Sequence, residues 1–130
     1  MVYIPEKPTA LMKQKKAKYR NKKVSAQGKN FDSIKERDRF FFLQDCQRRG
    51  VIRNLRCQVR FSIDVEGEHI CDYIADFVYE SVWNSVLTVT VVEDVKSKAT
   101  KTDVYRLKNK LMKAVHGVEI REVFQPTLPI

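Results

Sequence analysis

Two short stretches of this chain carry charge where a buried strand should not. Tyr73-Ile74-Ala75-Asp76-Phe77-Val78-Tyr79 and Leu87 to Lys96, which closes on Val92-Glu93-Asp94-Val95-Lys96, are rich in β-branched and aromatic residues. Both are bounded by turn signals, so both are expected to be buried strands. An unpaired carboxylate in such a place is expensive. Strand alternation puts Asp94 and Lys96 on one face and Glu93, exposed or structural, on the other. A carboxylate on one strand, with a carboxylate and a lysine two apart on the next, is the donor set of a divalent-metal site for cutting phosphodiester bonds. The bland alternatives are a salt-bridged Asp76 and a direct Asp94–Lys96 pair. Cβ atoms two apart on a strand are ~6–7 Å distant, which suits a shared ligand better than a direct contact.

The remaining elements are expected to hold these strands in place. Ser33-Ile34-Lys35-Glu36 has the form of a helix capping box, and a helix should run to Arg49 with Gly50 as its stop. Phe40-Phe41-Phe42-Leu43 is apolar all round, so the middle of that helix should be largely buried, with Glu36 on the face of Phe40 and Leu43. Val24 to Gly28 reads as a short strand and turn, and Val51 to Leu55 as a short extended piece. Phe61, Ile63 and Val65 alternate with polar residues, Glu66-Gly67 turns the chain, and His69 to Glu80 returns as a hairpin. Thr102-Asp103 should cap a second helix reaching His116 and ending at Gly117. Val104, Leu107, Leu111 and Val115 would form its inner stripe; Arg106, Lys110 and Lys113 its outer one. Val118 to Val123 completes the set as a strand parallel to the Asp94 strand, because a helical crossover joins parallel neighbours. The order is α-β-β-β-α-β, a mixed α/β (α+β) sheet with helices packed on it.

That order and those residues resemble the PD-(D/E)XK nuclease superfamily over roughly residues 31 to 123. Within it the chain looks most like a phage-encoded family of small uncharacterised proteins. The matching segments are Phe31-Asp32-Ser33-Ile34-Lys35-Glu36, Tyr73-Ile74-Ala75-Asp76-Phe77, Glu93-Asp94-Val95-Lys96 and Gly117-Val118-Glu119-Ile120-Arg121-Glu122-Val123. Ala75 stands where the superfamily's name has proline. The resemblance implies a restriction-endonuclease-like core and a DNA endonuclease. Asp76 and Asp94 would hold Mg²⁺, with Mn²⁺ able to substitute, and the Val95 carbonyl would be a further ligand. Lys96 would position the attacking water or stabilise the transition state, and Glu36 would complete the acidic cluster or bind a second metal. Small members of this layout resemble Holliday junction resolving enzymes, which implies branched DNA, a homodimer and phage DNA processing in the host cytoplasm. The competing expectations are a nucleic-acid-binding protein whose acidic cluster is structural, and an RNA-directed nuclease of the same fold.

Charge placement agrees with a polyanionic partner. The net charge is +9, yet nine of the 25 basic residues and only one of the 16 acidic ones precede Phe31. Residues 1 to 18 therefore read as a basic arm, 19 to 124 as one nuclease-like domain and 125 to 130 as a tail. Lys13, Lys15, Lys16, Lys18 and Arg20 on the arm side are candidate phosphate contacts, as are Lys98, Lys101 and Lys108 around the site. No apolar run approaches the ~20 residues of a membrane span, and no signal-peptide stretch opens the chain. Cys46, Cys57 and Cys71 make an odd count without CxxC spacing, which suggests buried thiols in a reducing compartment. His69 and His116 have no ligand spacing and read as surface or helix-end residues; Trp83 and Tyr105 read as core or edge packing before base stacking.

Overall fold

A computed structural model of the protein describes residues 24–84, 86–97 and 101–130. Thus Lys13, Lys15, Lys16, Lys18, Arg20 and Lys98 lie outside the described residues, as does the arm. A small hairpin comes first: β1 (Val24–Ala26) pairs with β2 (Lys29–Phe31) across Gln27-Gly28, both with positive φ. Such a two-residue turn matches the twist of the strands it joins. Only its first strand was expected. Next come α1 (Ile34–Arg48), β3 (Ile52–Val65), β4 (Glu68–Val82), β5 (Thr88–Val95), α2 (Asp103–His116) and β6 (Ile120–Val123). The four long-range strands form one mixed sheet in the order β3-β4-β5-β6, antiparallel except for the parallel β5–β6 pair. Val51 to Leu55 is not a separate piece but leads into β3, which bulges between Arg53 and Arg56.

Both helix starts form where capping chemistry predicts. Ser33 accepts from the Glu36 amide at 3.1 Å, and Thr102 from the Tyr105 amide at 3.1 Å, each satisfying a first-turn donor. The Glu36 carboxylate also turns back, but to the Asp32 amide at 3.3 Å, one residue before the cap. Gly50 and Gly117 stop the helices at φ +77° and +67°.

Burial divides into two clusters, one under each helix. Phe40, Leu43 and Cys46 of α1 pack with Phe31, Ile52, Phe77 and Tyr79; Tyr105 and Met112 of α2 pack with Ile63, Tyr73, Ala75, Val78 and Val92. Each fully buried Phe or Leu adds roughly 1.5–3 kcal/mol of transfer free energy. Phe41 is exposed and Phe42 half-buried, so α1 buries one face rather than its whole girth. Of the expected inner stripe of α2, Leu111 alone packs against the core. Val104, Leu107 and Val115 face solvent, and the helix instead docks through Tyr105 and Met112, an aromatic and a thioether. Trp83, expected to pack, is 72% exposed.

A buried ion pair ties the layers together. Arg39 of α1 forks onto Glu93 of β5 through Nε–Oε1 at 2.9 Å and Nη2–Oε2 at 2.6 Å, with both side chains wholly buried. Tyr79 also donates to Glu93. Arg39 Nη1 then donates to the carbonyls of Pro126 at 3.1 Å and Leu128 at 2.5 Å, and Arg121 holds the carbonyl of Pro129. Residues 125 to 130 are therefore a docked segment rather than a loose tail. Removing Arg39 leaves the buried Glu93 charge with the longer contact to Arg121 Nη1, 3.5 Å away, in place of the fork, so Arg39→Met should cost ~3–5 kcal/mol in urea unfolding. The double change Arg39→Met with Glu93→Met should recover a large part of that loss. A double variant no more stable than Arg39→Met alone would show that charge burial is not the cause.

Candidate metal centre

Strand pairing brings the chemistry-bearing residues together. The β4–β5 ladder runs from Val82↔Thr88 to Phe77↔Glu93 and stops there. The next position would set Asp76 opposite Asp94, and at that point the strands part. Asp76 Oδ2 takes the Val95 amide at 2.9 Å, so a side chain replaces the lost backbone partner. β6 takes over on the other edge of β5, pairing Val92–Val95 with Ile120–Val123 and then accepting the Lys96 amide at Val123 O, 2.8 Å.

Sheet geometry changes at the same place. Phe77 and Tyr79 pack under α1, whereas Tyr73 and Ala75, which alternation would put on the same face, pack under α2. On β3, Cys57 and Val59 make the same exchange. Both strands therefore turn over between these pairs. Gln58, which lies opposite Asp76, has φ +52°.

Asp76, Asp94 and Glu36 form an acidic group around this opening. Burial, the charge of Asp94 and a hydrogen bond with it, and then Glu36, push the Asp76 pKa well above the ordinary carboxylate value. Glu36 is 3% exposed and its pKa is pushed up to about 7, first by burial and then by the charge of Asp32. Asp94, also buried, accepts from the Tyr73 hydroxyl. Lys96 Nζ lies 3.5 Å from Asp94 Oδ1 and 4.1 Å from the centre of the Tyr105 ring. Asp94 and Lys96 thus do pair directly, against expectation, because the long lysine stem reaches back across the spacing of their Cβ atoms. Two hollows meet on Asp32, Asp76 and Lys96. One, of about 260 Å³, is lined also by Ser33, Lys35, Glu36, Val95 and Ser97; the other, of about 400 Å³, runs along Gln58, Tyr73, Asp94, Tyr105 and Lys108.

Sequence reasoning chose Glu36, Asp76, Asp94, Val95 and Lys96, and all five lie around these hollows. Of the flanking lysines, Lys108 lines the second hollow but donates to Asp72 O at 2.7 Å. Lys101 pairs with Glu122 at 3.3 Å. Glu93, set aside as exposed or structural, is structural and fully buried. Asp32, Gln58 and Tyr73 were missed; Asp32 and Tyr73 stood in the matched segments, whereas Gln58 needed the register. His69 stays on the surface with Asp64, 2.8 Å away, and His116 reaches Ser62 O at 2.7 Å from the end of α2.

Among the described residues no three Asp, Glu, His or Cys side chains are grouped so as to hold a metal ion. Two adjoining carboxylates with room for water beside them are nonetheless a donor set that suits Mg²⁺, which keeps several waters and takes one or two carboxylates. The same crowding has a cost without a cation. A carboxyl whose pKa is higher folded than unfolded contributes stability that is fully present below the unfolded value and lost as pH rises through the folded one. For Glu36 that window runs from about 4.5 to about 7. Metal-free protein should therefore lose stability between pH 5 and pH 8. Glu36→Gln should remove much of that loss, gaining on the order of 2 kcal/mol at pH 8 and little at pH 5 in urea unfolding.

No curated protein matches the chain, and no solved structure does. A family model described as "Protein of unknown function (DUF1064)" matches residues 16–124. The match takes in α1, the whole four-stranded sheet and α2 together with the acidic opening, and the chain belongs to that family.

Proposed function

We propose that this protein is a divalent-metal-dependent endonuclease that hydrolyses phosphodiester bonds in DNA, on a restriction-endonuclease-like core. The observation that carries the reading is the meeting of Asp76, Asp94 and Lys96 where β4 leaves β5, beside a hollow large enough for an ion and a phosphate. Asp76 and Asp94 would hold Mg²⁺ or Mn²⁺, with Val95 O and Glu36 alongside. The ion would lower the pKa of a bound water and offset charge on the scissile phosphate. Lys96 would place a compact positive charge against the phosphoryl oxygens, and Tyr105 keeps that ammonium at the hollow. Branched DNA as substrate and a homodimer that places two sites on two strands complete the proposal. The basic arm would supply sequence-independent phosphate contacts.

One observation favours a second reading. Asp94 is already satisfied by Tyr73 and Lys96, as a structural acid in a non-catalytic nucleic-acid-binding protein would be. Cleavage separates the two. Incubation with Mg²⁺ or Mn²⁺ and four-way junctions, flaps, duplex or single strands should give products. Asp76→Ala and Lys96→Ala should each lower the rate by at least ~100-fold while leaving DNA affinity nearly unchanged. Metal-dependent cleavage absent from all substrates would leave the structural reading standing. Mg²⁺ should also raise the melting temperature at pH 8, because it binds the ionised form of a site that the empty protein strains to ionise. Deleting residues 1 to 18 should weaken DNA binding and flatten its salt dependence; an unchanged slope would remove the arm from the interface.

A further inference from the structure

Gln58 is the residue whose conformation is hardest to explain by folding alone. Among the described residues three other non-glycine residues have positive φ. Gln27 and Glu66 each precede a glycine in a two-residue hairpin turn, where the turn type demands it. Asn54 sits at the bulge between Arg53 and Arg56 and is a residue type that tolerates the left-handed region. Gln58 lies inside β3 between two regular pairs, Cys57↔Phe77 and Val59↔Ala75, at φ +52°. Strain of this kind persists only where the surroundings over-determine it, and it clusters at functional sites.

What the conformation achieves is visible in the side chain. Gln58 Nε2 donates to Glu36 Oε1 at 2.7 Å and lies 3.4 Å from Asp76 Oδ1. Those two acids come from different layers, one from α1 and one from β4, and Gln58 joins them from a third element. A carboxamide suits the task. Its NH₂ group has two hydrogens for two acceptors, and it carries no charge to compete with a cation. The two carboxylate neighbours also fix which end of the amide is nitrogen.

We propose that Gln58 is a positioning residue of the metal centre: its amide sets the spacing of Glu36 and Asp76, and the left-handed backbone at residue 58 exists to aim it there. This rests on the nuclease reading and extends it to a residue outside the matched acids and lysine. Gln58→Gly tests it, since glycine accepts φ +52° without strain and what is removed, amide and stem together, is an exposed side chain. The expected result is a melting temperature equal to or above that of the unaltered protein. Mn²⁺ affinity, measured by titration without DNA, should fall ~10–100-fold, and the metal concentration for half-maximal cleavage should rise to match. DNA affinity in the absence of metal should not move. Gln58→Asn keeps an amide one methylene shorter and tolerates the backbone, so it should fall between the two. A Gln58→Gly protein that melts lower, or binds Mn²⁺ as tightly as before, overturns the proposal while leaving the nuclease reading intact. If the unaltered protein neither binds Mn²⁺ nor cleaves any substrate, the nuclease reading itself fails and takes this one with it.

Discussion

The ion pair between Arg39 and Glu93 is the constraint on which the site's geometry depends. Two charges with no access to water must meet in good geometry or not be buried at all, so this fork permits little slack between α1 and β5. Glu36 is three residues before Arg39, one turn along the helix, and Asp94 is the next residue after Glu93. Fixing the pair therefore fixes the helix-borne acid against the strand-borne one. The same guanidinium takes two carbonyls of the C-terminal segment, which closes over the pair and keeps it dry.

β5 performs both tasks because its side chains alternate and both of its edges are paired. Glu93 turns to α1 and the C-terminal segment, and Asp94 turns to Tyr73 on the α2 side. A central strand normally loses its chemistry to burial. Here β4 peels away after Phe77, which opens one edge at Asp94, while β6 keeps the other edge hydrogen-bonded through Lys96. The result is a rigid strand end with one open side, the kind of support that holds a constellation to a fraction of an ångström. Burial first, and then repulsion from neighbouring carboxylates, is the cost, and it appears as Asp76 and Glu36 carboxyls held away from ionisation.

Much of this was legible in the chain, and the failures share a cause. Capping residues, glycine stops and the crossover to a parallel strand are local rules, and both helices and β6 follow them. The acids of the site were legible because charge inside apolar strands is anomalous wherever the strands go. The α2 stripe failed at Val104, Leu107 and Val115, though not at Leu111, because periodicity identifies an apolar face without saying which way it points; Tyr105 and Met112 are the buried residues of that helix. Gln58 was hidden by register. Counted back from the Glu66-Gly67 turn, it would face Ala75, but the shift between Ile63 and Asp64 moves the pairing by one and puts it opposite Asp76. One extra residue at a bulge exchanges every partner beyond it, and no local pattern in the sequence announces that.

That displaced register also explains why a glutamine bears the strain. With Gln58 opposite Asp76, a regular β3 would carry its faces unchanged past the site. The observed packing instead sends Cys57 to the α1 cluster and Val59 to the α2 cluster. β4 makes the same exchange between Ala75 and Phe77 with no positive φ at Asp76, so the change of faces does not by itself require a left-handed residue. Glycine would make the turn at less cost but would leave the Glu36 carboxylate without the amide that it accepts from. Glu36 would keep the Asp32 amide, and relief of one strained φ offsets the lost hydrogen bond, so on the positioning reading it is the spacing of the two acids, not the stability of the fold, that keeps a side chain at residue 58.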